Sequence, residues 1–241
     1  MNFFSIFKRN TIYFFKKKIN IDNNKFKKKI DLDELFIHYS TDKSSKIHNF
    51  GKFYTKHLNK LRDKRINILE IGAAGGASAA SFVKYFKKSK VFCIDINLTL
   101  VVYKSKKINF FGLDSSNLKI LNKFINKIKQ DFLIKKFDII IDDGSHLLSD
   151  QLFSLNYFYK YLVKEGYYII EDYKFSNYFK RNKDVNELTL DKLIVNLRNN
   201  KKIKSKILNA DTIDSLYKSK IYSYKGKSKI SDIVFFRKKS D

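Results

Sequence analysis

The chain has 241 residues and a mass of 28.6 kDa, enough for one domain of the larger size that buries about 70–75% of the surface its unfolded form exposes. Its 50 Lys and Arg residues against 24 Asp and Glu give a formal net charge of +26 and a pI near 9.8. The lone Cys93 excludes an intramolecular disulfide or a cysteine-cluster metal site and is expected to be a buried, inert thiol. No 18-residue apolar run exists, and Phe3-Phe4-Ser5-Ile6-Phe7 is cut by Lys8-Arg9 before it could act as a secretory core, so the chain is expected to be cytoplasmic. A positive excess of this size commonly points to nucleic acid or an anionic membrane. Here the cations are mostly Lys, with Arg only at Arg9, Arg62, Arg65, Arg181, Arg198 and Arg237, and they are mixed with Asn, Ile, Phe and Tyr. Those residues have A- and T-rich codons, and nucleic-acid readers favour Arg for bidentate contacts, so no nucleic-acid partner is expected.

Residues 1–30 read as a basic amphipathic arm. Phe3, Phe4, Phe7, Ile12, Phe14, Phe15 and Ile19 alternate with Lys8-Arg9, Lys16-Lys17-Lys18 and Lys27-Lys28-Lys29. Two roles stay open for it: weak peripheral contact with anionic lipid, or a helix packed on the domain that fills residues 31–241. From residue 66 onward, strand-like runs at 66–71, 90–95, 108–112, 137–142 and 167–171 alternate with helical periodicity at 78–86, 118–129 and 150–163. That alternation predicts an α/β, doubly wound, Rossmann-like sheet covered on both faces. Ile221-Tyr222-Ser223-Tyr224 and Ile233-Val234-Phe235-Phe236, separated by a turn region with Gly226, predict a C-terminal antiparallel hairpin.

Ile68-Leu69-Glu70-Ile71-Gly72-Ala73-Ala74-Gly75-Gly76-Ala77-Ser78 is an apolar strand running into a glycine-rich turn and a helix. Gly72 and Gly76 let the backbone approach a ligand, and the helix that follows offers N–H groups at its start. Asp95 closes the second strand, where a carboxylate can accept both hydroxyls of a ribose. Turn and acid together point to an adenosine-containing cofactor. The order Glu70-x-Gly72-x-x-x-Gly76, rather than G-x-G-x-x-G, resembles the first motif of S-adenosylmethionine methyltransferases. By that resemblance Glu70, Gly72, Gly75, Gly76 and Asp95 bind cofactor, and Asp114 lies where the adenine is contacted.

Phe137-Asp138-Ile139-Ile140-Ile141-Asp142-Asp143-Gly144-Ser145-His146 delivers two carboxylates and an imidazole to the end of one strand, and Tyr167-Tyr168-Ile169-Ile170 ends in Glu171-Asp172. Neighbouring strands should gather Asp143, Glu171 and Asp172 beside the cofactor crevice. Three carboxylates need a counter-charge, and an all-oxygen ligand set suits Mg²⁺, with Mn²⁺ as a substitute. The alternative reading has Glu171 and Asp172 capping a loop and pairing with Lys174 or Arg181. His146, three residues beyond Asp143, suits a general base, since an imidazole titrates near neutral pH.

Tyr39-Ser40-Thr41-Asp42-Lys43, His48-Asn49-Phe50 with Tyr54, the 70–76 turn, Asp142-Asp143-Gly144-Ser145-His146 and Ile169-Ile170-Glu171-Asp172 together resemble the macrolide-sugar O-methyltransferases of the mycinamicin and tylosin type. The likeness runs from about residue 38 to 175. It implies Mg²⁺ on Asp143, Glu171 and Asp172, with His146 as the base. Asp114-Ser115-Ser116 departs from that family's Gln-Ser-Asp segment, and the family's long N-terminal region, which helps to form its oligomer and substrate pocket, is expected to be missing. The expected function is therefore methyl transfer from S-adenosylmethionine to a sugar hydroxyl of a surface polysaccharide, a nucleotide sugar or a glycosylated small molecule, with a homo-oligomer left open. The segment 41–54 is expected to fold over the cofactor, and residues 173–215 to shape the acceptor pocket. The rivals are an RNA ribose methyltransferase and a hydroxylase-associated or assembly protein on the same scaffold; a chain without proline cannot carry the Pro-containing motifs of DNA methyltransferases.

Overall fold

Strands buried on both faces need near-continuous apolar runs, and those at 66–71 and 137–142 have them. The computed structural model describes residues 3–27 and 29–239, so Lys28 of the basic arm and the side chain of Phe3 lie outside the description. The chain forms two compact units, Met1–Ile125 and Asn126–Asp241.

The first unit opens with α1 (Phe3–Phe15), β1 (Ile19–Asn20), α2 (Leu32–His38) and α3 (Gly51–Leu58). It continues through β2 (Ile66–Ile71), α4 (Ala77–Tyr85), β3 (Ser89–Asp95), β4 (Tyr103–Lys104) and β5 (Ile108–Gly112), and α5 (Leu118–Phe132) carries the chain onward. β1 pairs with β4 in a separate two-stranded sheet. The other three strands are parallel in the order β5-β3-β2, and the registers Ile71↔Ile94 and Asp95↔Gly112 bring their carboxyl ends level. Parallel pairing follows from the crossovers, through α4 between β2 and β3 and through the 96–107 loop with β4 between β3 and β5, which return the chain to the same end of the sheet each time. Asp31 caps α2 by accepting the Asp33 N–H at 2.8 Å. Phe36, Tyr54 and Phe82 meet edge to face or tilted at 5.7–5.9 Å, and all three are fully buried. Cys93 is fully buried in β3, and that burial holds its thiol well above the usual range, as an inert thiol requires.

The second unit contains β6 (Phe137–Asp142), α6 (Leu148–Phe158), β7 (Leu162–Glu171) and α7 (Phe175–Tyr178). α8 (Leu190–Arg198), α9 (Ala210–Tyr217), β8 (Lys220–Lys225) and β9 (Asp232–Arg237) complete it. Its strand order is β6-β7-β9-β8, with β6 and β7 parallel and the last pair forming the expected antiparallel hairpin, which joins β7 through β9. The helix expected at 150–163 ends at Phe158, and β7 starts at Leu162 rather than 167. The reason is a tight turn at Tyr159–Tyr161 followed by an irregular stretch. There Glu165 takes φ 63°, and a side chain on Gly166 would stand 2.8 Å from the Asp138 carbonyl oxygen. Among the described residues, no helix is long and apolar enough to cross a membrane.

Candidate active site

The turn after β2 is left-handed at three places: Gly72 (φ 84°), Ala74 (φ 41°) and Gly76 (φ 76°). At Gly76 a Cβ would also meet the Phe110 ring at 2.9 Å, so glycine is required there for two independent reasons. Gly75 is different, since the nearest atom to an added Cβ is 3.8 Å away. Asp95, at the tip of β3, holds the turn from the adjacent strand. Its Oδ2 accepts the Ala73 and Ala74 N–H groups at 2.8 and 2.9 Å, and its Oδ1 accepts the Asn97 N–H at 2.7 Å. A carboxylate has about four acceptor positions, so three backbone contacts leave room for little more than one ligand hydroxyl. Spacing alone casts Asp95 as an open ribose acceptor; the fold makes it a brace for the turn as well.

Glu70 is fully buried, and its Oε1 accepts the Ser78 hydroxyl at 2.5 Å across the start of α4. Asp114 lies two residues beyond β5, where its Oδ1 accepts the Ser116 N–H and hydroxyl at 2.9 and 2.7 Å. The Leu113 N–H donates to the Asp95 carbonyl at 3.0 Å, which joins the Asp95 and Asp114 loops. In the segment expected to cover a cofactor, Lys43, Phe50 and Tyr54 are buried, His48 stacks on Phe50 at 5.2 Å, and Ile47 is half-exposed.

In the second unit the register Asp142↔Ile170 sets Asp143 and Glu171 one step further along adjacent parallel strands. Asp142 turns inward. Burial pushes its carboxyl up to about 8, the Gly144 N–H opposes that, and the charges of Asp143 and Asp150 add to it. Its Oδ2 is buried without a hydrogen bond among the described residues. Asp143 remains partly open, with Oδ1 3.9 Å from His146 Nε2. His146 adopts φ 56°, its ring lies 4.8 Å from Phe175, and its carbonyl accepts the Asn182 side-chain N–H at 3.1 Å. Glu171 and Asp172 are buried, at 2% and 7% exposure, and Asp172 adopts φ 51° at the bend into α7. Lys174, one of the two cations suggested as partners of the acidic pair, reaches Asp232 at 3.2 Å. Asp232, 1% exposed and also 2.9 Å from Lys225, is a buried ionic centre that the sequence reading missed. Its only local signal was an acid opening the last strand.

Among the described residues, no group of three or more His, Cys, Asp and Glu side chains is gathered closely enough to hold a metal ion. Asp143 and Glu171-Asp172 occupy neighbouring positions at the ends of adjacent parallel strands. The donor set itself, all oxygen with two members nearly buried, matches a hard divalent cation in chemistry. Within the segment expected to shape an acceptor pocket, Lys183, Glu187, Leu188, Thr189, Lys192 and Lys204 line an open cavity of about 460 Å³.

The glycine turn at the end of β2, the acid at the tip of β3 and the C-terminal hairpin define an α/β, Rossmann-like fold of the methyltransferase type. Residues 62–229 match the methyltransferase domain family, and the chain belongs to it. It is 31% identical over 156 residues to L-olivosyl-oleandolide 3-O-methyltransferase of Streptomyces antibioticus, which covers 61% of this chain and 38% of that one. It is 27% identical over 152 residues to mycinamicin VI 2''-O-methyltransferase of Micromonospora griseorubida, covering 60% and 36%. The chain thus spans well under half the length of these curated relatives. The MycE methyltransferase of the mycinamycin pathway, solved with Mg, SAH and mycinamycin VI, superposes with a TM-score of 0.67 at 21% identity, over 88% of this chain and 55% of that one. That likeness shows the fold.

Proposed function

We propose that the chain is an S-adenosylmethionine-dependent, divalent-metal-assisted O-methyltransferase acting on a sugar hydroxyl of a glycosylated small molecule, a nucleotide sugar or a surface glycan. The observation that carries the reading is the left-handed glycine turn braced by Asp95, the arrangement that lets backbone approach a nucleoside cofactor. Relatives named for 3-O- and 2''-O-methyl transfer to glycosylated polyketides support the choice of a sugar hydroxyl. When bound, the cofactor supplies an electrophilic methyl group and Mg²⁺, or Mn²⁺ in its place, supplies Lewis acidity that lowers the pKa of a hydroxyl.

The chain's own residues do the rest. Gly72, Gly75 and Gly76 admit the amino-acid end of the cofactor, and Glu70 steadies the start of α4 that receives it. Asp95 and Asp114 offer acceptors to the nucleoside. Asp143, Glu171 and Asp172 would hold the cation. His146 takes the proton of the attacking hydroxyl on its imidazole. The residues 31–241 form the catalytic domain in this reading, with 1–30 as an arm.

Incubation with methyl-labelled cofactor and a panel of glycosylated polyketides, nucleotide sugars, oligosaccharides and a mixed RNA pool tests this. Label should appear on a sugar, with little dependence on salt. Labelling of RNA whose rate falls steeply with salt, about one logarithmic unit of slope per phosphate contact, would replace it with a nucleic-acid role. Asp95→Ala should weaken S-adenosylmethionine binding by about 10–100-fold in calorimetry, since it removes both a charged acceptor and the brace of the turn. Unchanged affinity would take Asp95 out of the site.

A further inference from the structure

α1 has two unlike faces. At about 100° per residue, Ile6, Arg9, Asn10 and Tyr13 fall on one side, and Phe4, Phe7, Phe14 and Phe15 fall within an opposite arc of about 100°. The first side packs on the carboxyl ends of β3 and β5. Asn10 donates to the Gly112 carbonyl at 2.9 Å, Arg9 donates to the Ile96 carbonyl at 3.4 Å, and the Tyr13 ring meets Phe110 edge-on at 6.0 Å. Gly112 is fitted to this contact, because a Cβ there would fall 1.5 Å from Asn10 Oδ1. The second side faces outward, with Phe4, Phe7, Phe14 and Phe15 at 76%, 63%, 77% and 79% exposure.

Four exposed phenylalanines on one helical face are an apolar patch of the kind that a water-facing surface seldom keeps. What covers it is indicated by charge. Residues 3–21 carry Lys8, Arg9, Lys16, Lys17 and Lys18 and no acid; Lys8 is exposed beside the aromatic face, and Lys17 is exposed just beyond the end of α1. A second copy would bring the same cations and the same net charge of +26, so self-association through this face works against electrostatic repulsion. An anionic bilayer complements both features, since the rings enter the headgroup boundary while each nearby cation strengthens binding by about five-fold. At 13 residues α1 is too short to span a bilayer and suits lying in its plane.

We propose that α1 is an interfacial helix that docks the protein on an anionic lipid bilayer through Phe4, Phe7, Phe14 and Phe15, while its inner face stays seated on β3 and β5. Docking then holds the strand ends that carry Asp95 and Asp114 close to the membrane surface. This inference rests on the packing of α1 and not on the reading of the chemistry.

The full chain contains no Trp, so Phe14→Trp creates a single fluorescent reporter of depth. With phosphatidylcholine vesicles containing about 30% phosphatidylglycerol, its emission should shift to the blue and salt should weaken binding, whereas pure phosphatidylcholine should leave the emission unchanged. In co-sedimentation, joint replacement of Phe4, Phe7, Phe14 and Phe15 by Gln should lower partitioning at least ten-fold with an unchanged melting temperature, and Leu133→Ser, at an exposed site elsewhere, should have no effect. Failure of the natural chain to bind anionic vesicles, or equal binding to neutral ones, overturns the proposal. So does a dimer in sedimentation velocity that the four-fold Gln variant dissolves, because the occupant is then a second copy.

Discussion

Asp143→Asn is expected to lower turnover by at least about 10³-fold, roughly 4 kcal/mol of transition-state stabilisation, while leaving S-adenosylmethionine binding nearly unchanged. The substitution keeps the size of the side chain and removes the negative charge at the tip of β6. In the proposed site that charge is one of three that hold a divalent cation, and an amide holds Mg²⁺ far less well than a carboxylate. Cofactor affinity should survive because the glycine turn and Asp95 belong to β2, β3 and the loops that follow them, in the first unit. Two measurements separate the metal from a structural role. Titration with Mn²⁺, followed by its paramagnetic resonance, should show a site that weakens markedly in Asp143→Asn, and excess chelator should stop the natural enzyme. Full activity in chelator would sink the metal assignment and return Glu171 and Asp172 to the bend at the end of β7.

His146→Asn should cost about 10²–10⁴-fold in kcat, the range for losing a positioned proton acceptor. The choice of Asn follows from the backbone. At φ 56° His146 occupies the left-handed region, which Asn tolerates better than Ala, so the variant removes the base without adding strain of its own. The loss should fall on kcat with cofactor affinity and melting temperature preserved, and it should shrink as pH rises and hydroxide or solvent can take the proton. Equal activity of both forms on a sugar acceptor would remove His146 from the chemistry. A parallel loss of melting temperature would mark it as a support for Phe175, whose ring it meets at 4.8 Å.

Much of this arrangement was legible before any coordinates. The strands at 66–71, 108–112 and 137–142 stand where their apolar runs place them; the first and last are buried almost throughout and record that burial directly in their residues, while 108–112 is a half-buried edge strand. The hairpin was equally readable, each half being an apolar run beside a turn. β7 was misjudged at its start, since Leu162 to Gly166 extends an irregular backbone held by contacts to Lys238, far away in the chain. α8 carries a legible pattern too, since Leu190, Leu193, Ile194 and Leu197 bury one face at helical spacing.

The sequence by itself determined the α/β class, the glycine-rich turn between the first long strand and its helix, and the placing of Asp143, Glu171 and Asp172 at strand ends with His146 in the loop after Asp143. These depend on periodicity and on short spacings, which are local. Only the tertiary structure decided which partner each polar group takes. It put Ala73 and Ala74 on the Asp95 carboxylate, Ser78 on Glu70 and Lys174 on Asp232. It also seated α1 on β3 and β5, leaving four phenylalanines outward. The physical reason is that a charge or hydrogen-bonding group is satisfied by whichever complement the fold brings within about 3 Å, and that choice is made by the approach of segments distant in sequence.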